Sequence, residues 1–239
     1  MLKRIIYLVF LISLSLLLIE SIRYKIADKI IYPLVHGIGV QNNYADAIIW
    51  GGNIKRYVKK FDDAKKDYIY VIKKEDLSKQ KNALEMAYLN LGHTFYKIGD
   101  YSNAAKAYYL TLKKNPGNKD ALLPFVRINM AYENSSQIIP IVQSFISTDI
   151  KDSIGFTELC ALYNRLEEFD VARVNCQNAI KNDKNYARAH YDYGVALLSL
   201  GFNKDSEKEF KLAKKLQPNI KSREKLEEIM LSVKKDKEN

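Results

Sequence analysis

An all-α fold, a superhelical solenoid of stacked helix hairpins preceded by a transmembrane helix, is predicted by three features of this 239-residue chain. A thirty-four-residue pattern recurs along it, an uncharged apolar run stands near its start, and ten Gly with five Pro are few for a strand-and-turn architecture. A hydrophobic share of 47% beside 28% charged residues is that of a chain that folds, which excludes wholesale disorder. Two Cys and three His leave little material for a zinc module or a disulfide-built mini-domain. The formal charge of +10 carries little weight, because Lys, Asn, Ile and Tyr are abundant together, as in a general coding bias.

The first element is a membrane address at residues 1–22. Ile5 to Ile19 contain no charge, Lys3 and Arg4 precede them, and Glu20 ends the run. With Ser21 and Ile22 the stretch approaches the lower limit of the ~17–25 residues that span a bilayer. No small-residue cleavage site follows, so an uncleaved signal anchor is expected rather than a removed leader or a buried core helix. Lys3, Arg4 and the α-amine favour an inside N-terminus, against Arg23, Lys25 and Lys29 on the other flank. The prediction is a single-pass protein with its bulk on the exported, extracytoplasmic side. Residues 23–44 continue as a juxtamembrane helix and linker, which Pro33, Gly37 and Gly39 are expected to interrupt.

The repeats follow. Glu85 to Asn118 carry Leu91-Gly92, Phe95, Gly99-Asp100-Tyr101, Ala104, Tyr108 and Pro116. Thirty-four residues on, the register returns as Leu159-Cys160, Tyr163, Phe169, Ala172, Cys176 and Ala179 in 153–186. It returns again as Tyr193-Gly194, Leu197, Gly201, Ser206, Phe210, Ala213 and Pro218 in 187–220. Residues 119–152 have the same length but are degenerate. Their Pro124 and Pro140 fall in first turns if the two helices begin near Leu122 and Ile138, with Asn134-Ser135-Ser136 as N-cap. Residues 45–78 read as a weaker first copy, with Gly52 at the small position and Tyr68 at the aromatic one. A polar insertion, Lys79 to Leu84, separates it from the second. In 221–239, Leu226, Ile229, Met230 and Val233 form the apolar stripe of a capping helix.

This pattern resembles the tetratricopeptide repeat (TPR). The resemblance implies paired antiparallel helices that cannot bury their apolar stripes alone and stack into a right-handed superhelix with a concave, peptide-binding face. The family's groove positions carry over to Trp50, Asn53, Arg56 and Tyr57, then Asn90, His93, Tyr96 and Lys97. Further along they fall on Arg127, Asn164, Arg165, Arg188, Tyr191 and Asp192. Rings, amides and guanidinium groups on a rigid helical surface suit an extended peptide or a partner's helix; solvated polar residues on an unused face are the plainer alternative. The family's carboxylate clamp is incomplete. Asn53 and Asn90 occupy its amide places, but Ile49, Asp120 and Pro124 stand where cations belong. Cys160 and Cys176 sit opposite each other in one hairpin. A disulfide is geometrically possible in an exported domain, but the expected reading is two ordinary small apolar core residues.

No catalytic pattern is present: no phosphate loop, nucleophile elbow, H-E-x-x-H or Cys-x-x-Cys, and His36, His93 and His190 lack metal-ligand spacing. No enzyme, metal or cofactor is expected. Ten Lys/Arg against five Asp/Glu lie in 55–81, whereas 82–203 contain twelve of each. A continuous basic groove is therefore missing, which weakens an RNA-binding helical repeat, and no nucleic-acid partner is expected. The reading is a membrane-anchored scaffold for protein–protein interaction in assembly or maturation of an envelope complex. A fixed structural subunit of a larger membrane complex is the alternative.

Overall fold

The structure, a computed structural model, describes residues 24–132 and 134–218. The predicted anchor (1–22) and the capping helix (221–239) lie outside the described residues. Every regular element among the described residues is helical, and none of these helices is long and apolar enough to cross a membrane. The chain divides into two compact units, residues 1–98 and 99–239.

In the first unit a π-helical turn, Ala27–Ile31, leads into α1 (Tyr32–Asn42). The hairpin of α2 (Ala45–Tyr57) and α3 (Phe61–Lys73) follows, then the single turn α4 (Glu75–Ser78) and α5 (Ala83–Lys97). α1 packs on α2, and α5 packs on both α2 and α3. The polar insertion has a structural task. Gln80 Oε1 accepts from the Ala45 N–H at 2.9 Å, and its Nε2 donates to the Asn43 carbonyl at 2.6 Å, so it fastens the start of α2.

The predicted interruption at Pro33, Gly37 and Gly39 does not occur. Helical structure runs on to Asn42 and stops where Asn43 turns left-handed at φ 58°. The π turn explains why Pro33 is tolerated. The Tyr32 N–H bonds to Ala27 O, one residue further back than in an α-helix, and the widened turn makes room for the ring at the new helix's first turn. Gly39 acts as a crossing point: an added Cβ would lie 2.7 Å from Ile48 Cγ1 and 2.9 Å from its backbone nitrogen.

The second unit holds α6 (Tyr101–Lys114), α7 (Lys119–Ala131), α8 (Ser135–Thr148), α9 (Ser153–Arg165), α10 (Phe169–Asn182), α11 (Ala187–Ser199) and α12 (Asn203–Leu216). Consecutive helices pack together, and α9 also packs on α11. Asp100, Asn118 and Asp152 side chains cap α6, α7 and α9 through the N–H groups of Asn103, Ala121 and Ile154.

The third copy departs from expectation. Its helices begin at Lys119 and Ser135, so Pro124 and Pro140 lie inside them, each as the sixth residue. Each removes one internal N–H bond, and each helix persists because its flank is buried: Leu122, Phe125 and Val126 in α7, Ile138, Val142 and Phe145 in α8. The Asn134 side chain makes no cap bond. Its backbone, at φ −94° and ψ 27°, is not in the extended conformation that turns an N-cap side chain back onto the helix.

A recurring turn fixes the register. Lys60, Asn134, Glu168 and Phe202 each donate a backbone N–H to the carbonyl five residues earlier, at 2.8 to 2.9 Å. All four stand at the same position of the thirty-four-residue pattern, so even the degenerate copy keeps the 6→1 bond of a Schellman ending. That ending needs a left-handed residue. Gly99 and Gly201 supply it without strain at φ 83° and 84°, whereas Lys59 and Glu167 adopt φ 62° and 61° as non-glycine residues.

Contact between the two helices of a hairpin is equally periodic. A Cβ on Gly52 would lie 2.6 Å from the Tyr68 ring, and one on Gly194 would lie 2.7 Å from Phe210. At the same two places of the fourth copy Cys160 and Cys176 form a disulfide, with Cα atoms 5.3 Å apart, in a cluster with Ala172 and Ala196. The small–large pair seen at Gly52–Tyr68 and Gly194–Phe210 is replaced there by a covalent bridge.

Candidate peptide-binding cleft

In the first unit, α2 and the turn after it build an open cleft of about 370 Å³ lined by Asn53, Arg56, Tyr57, Lys59, Phe61 and Lys97. Helical spacing puts Asn53, Arg56 and Tyr57 on one side of α2. Arg56 is positioned by two amides: its Nη2 donates to Asn90 Oδ1 at 3.1 Å and to Asn53 Oδ1 at 3.4 Å. Tyr68 donates its hydroxyl to the same Asn53 oxygen at 2.8 Å, and burial pushes that hydroxyl up to about 12, so it remains a neutral donor. Asn90 Nδ2 is bound to the Met86 carbonyl. Both asparagines are thus occupied in orienting Arg56. Lys59 and Lys97 are exposed and form no ion pair among the described residues. Among the described residues the lining has three cations, two rings and no carboxylate.

The corresponding layer of the second unit is closed. Arg188 donates from both terminal nitrogens to the two oxygens of Glu158, which is fully buried, and its Nε lies 3.5 Å from Asp192 Oδ2. Glu158 and Asp192 hold the guanidinium firmly protonated against the cost of burial. Burial raises the Asp192 carboxyl to about 7 despite the opposing pull of Arg188. Asn164 donates to the Asp192 carbonyl at 2.8 Å. His190 is buried with Nδ1 2.6 Å from Glu209 and Nε2 2.9 Å from the Lys184 carbonyl, a contact between α11 and α12.

The predicted groove residues separate accordingly. Asn53, Arg56, Tyr57 and Lys97 line one cleft, with Asn90 behind Arg56. Trp50 is 58% exposed on α2 but does not line it, and His93 and Tyr96 are half-buried on α5. Asn164 and Arg188 meet at Asp192, Tyr191 packs its ring 5.5 Å from Phe210, and Arg127 and Arg165 are half-buried. Ile49, which interrupts the carboxylate clamp, is a core residue. Lys59 and Phe61 were not predicted, because the family pattern places its groove on the first helix and these belong to the turn. The available signal was a lysine where two other copies have glycine. Among the described residues no group of three His, Cys, Asp or Glu is placed to hold a metal ion.

Comparison with known proteins agrees with this architecture. Residues 52–119 match the tetratricopeptide repeat family model. No curated relative matches the sequence. The crystal structure of MamA is 22% identical, with a TM-score of 0.57 over 70% of this chain and 94% of that one. YrrB, described as a TPR protein with an unusual peptide-binding site, is 16% identical, with a TM-score of 0.57 over 83% of this chain and 96% of its own. A MamA chain from Desulfovibrio magneticus RS-1 is also 16% identical, with a TM-score of 0.57 over 74% and 97%. Together with the thirty-four-residue register, these likenesses give the described residues the all-helical fold of tetratricopeptide repeat proteins.

Proposed function

We propose that this chain is a membrane-anchored TPR scaffold that captures a carboxylate-bearing segment of a partner protein in the cleft of its first unit. The lining of that cleft carries the reading: Arg56, Lys59 and Lys97 offer charge-assisted donors, while Tyr57 and Phe61 offer apolar area beside them. Arg56 is pre-oriented by Asn53 and Asn90, which lowers the ordering cost of binding. YrrB, with its peptide-binding site, is a precedent on the same fold. The sequence of residues 5–22 supports the anchor, and confinement to the membrane would direct the captured partner to assembly or maturation of an envelope complex. The pairing of Cys160 with Cys176 suits an exported domain.

The test is fluorescence anisotropy of a labelled Glu- and Asp-rich peptide containing one Tyr, titrated with the full chain in detergent. Changing Lys59→Gln and Lys97→Gln together should weaken binding roughly thirty-fold, since each charge-assisted bond contributes about 1 kcal/mol, and should flatten its salt dependence. Equal affinity of the variant would refute the cleft as the site. A protease-accessibility assay on sealed vesicles tests the exported side.

A further inference from the structure

The face of α1 that no other helix covers among the described residues is apolar throughout. Its inward face is fixed by several contacts. Val35 and Gly39 are buried, Tyr32 donates its hydroxyl to Asp67 at 3.3 Å, and His36 Nε2 lies 3.1 Å from the same carboxylate oxygen. The Lys55 ammonium sits 3.7 Å from the Tyr32 ring centre and 2.8 Å from Asp28 in the preceding turn. These bonds set the rotation of α1 about its own axis, and so determine which side chains face outward.

Outward stand Ile30 and Leu34, each 62% exposed, and Ile38 at 44%, spaced four residues apart. From Ile30 to Val40 every exposed position is apolar, Gly or Pro: Ile30, Ile31, Pro33, Leu34, Gly37, Ile38 and Val40. Polar exposed residues return only at the ends, Lys25 and Lys29 before the stripe, Gln41 and Asn42 after it. A helix with one side clamped to a domain and the other continuously apolar has a surface suited to a non-aqueous neighbour.

We infer that α1 lies along a lipid bilayer, with Ile30, Leu34 and Ile38 at the boundary between headgroups and acyl chains. This rests on the membrane anchor proposed above. The sequence supports a bilayer as the occupant. The uncharged run Ile5–Ile19 ends eleven residues before Ile30, a reach of at most ~40 Å even fully extended, so the stripe stays near any bilayer that run enters. Lys25 and Lys29, at the end nearer the run, match anionic headgroups. A second consequence is orientation: α2 packs on α1 from the side opposite the stripe, so the repeats of the first unit would be held above the surface with a fixed side down.

The experiment uses the full chain in vesicles of phosphatidylcholine and phosphatidylglycerol with brominated acyl chains. A Trp50→Phe background carries a Leu34→Trp reporter, with Ile30→Trp as a second reporter should the first disturb folding; native helicity by circular dichroism qualifies each. The chain should float with the vesicles, and the reporter should lose roughly half its emission to shallow bromine, as expected of an interfacial helix. Flotation without quenching overturns the surface position of α1 while leaving the anchor standing. Failure to float overturns both. A reporter insensitive to bromine whose emission shifts with protein concentration assigns the stripe to a second copy, and overturns the proposal.

Discussion

The two units use the first helices of their hairpins in opposite ways. Around α2 the polar side chains end in an open cleft: two amides orient Arg56, while Lys59 and Lys97 form no ion pair among the described residues. Around α9 and α11, Glu158 and Arg188 pair through two hydrogen bonds away from water, while the buried Asp192 Oδ2 lies 3.5 Å from Arg188 Nε and has no hydrogen-bond partner among the described residues. One repeat pattern thus yields an open lining that carries three cations and a buried layer in which a guanidinium is already paired with a carboxylate. The difference lies in whether a carboxylate enters the layer. Glu158 does in the second unit, and among the described residues no carboxylate lines the cleft in the first.

The largest effect should come from breaking the closed layer. Glu158→Ala removes both charge-assisted hydrogen bonds to the Arg188 guanidinium, leaves it only Asp192 in a buried site, and should cost about 3–5 kcal/mol in urea unfolding. Arg56→Ala, half-exposed and bound only to amides, should cost about 1 kcal/mol or less while abolishing most peptide binding. Next is the covalent bridge. Cys160→Ala with Cys176→Ala, or a reductant acting on the native chain, should lower the stability of the second unit by about 3 kcal/mol, the value for a loop of this length. The Gly52–Tyr68 pair of the first unit has no such sensitivity.

A titration sharpens the contrast. In the folded chain the Asp192 carboxyl is raised to about 7, well above the usual carboxylate range, so between about 4 and about 7 the folded state binds a proton that the unfolded state has released. Its contribution to stability is present at low pH and lost as pH rises through that window. Asp192→Asn should therefore gain on the native chain as pH increases from about 4 to about 7, then hold a constant advantage. Asp67, raised to about 6 by burial, makes the matching contribution in the first unit, ending about one pH unit lower. The smallest effect is at the turns. Glu167→Gly should raise stability by up to about 1 kcal/mol by removing left-handed strain, as Gly99 and Gly201 already do elsewhere.

Much of this was legible in the residues. The thirty-four-residue register located the hairpins, because small residues at Gly52, Cys160 and Gly194 must face the partner helix sixteen residues on. What escaped was chemistry that depends on a neighbour. Arg188 looked available for binding until Glu158, thirty residues earlier, was seen to claim it. Asn53 and Asn90 looked like ligands for a peptide backbone, but act through Arg56. Pro33 looked like a helix breaker because a π turn has no sequence signature of its own, and Pro124 and Pro140 were placed too near their helix starts because the buried flanks that sustain those helices extend across both prolines.

The central claim is that a partner enters the first unit and not the closed layer of the second. Amide hydrogen exchange on the full chain, with and without the labelled acidic peptide, tests it most directly. Protection should rise along α2 and through the Val58–Lys60 turn, with α9 and α11 unchanged. Protection gained over α9 and α11 instead, with residues 53–61 unaffected, would contradict the account.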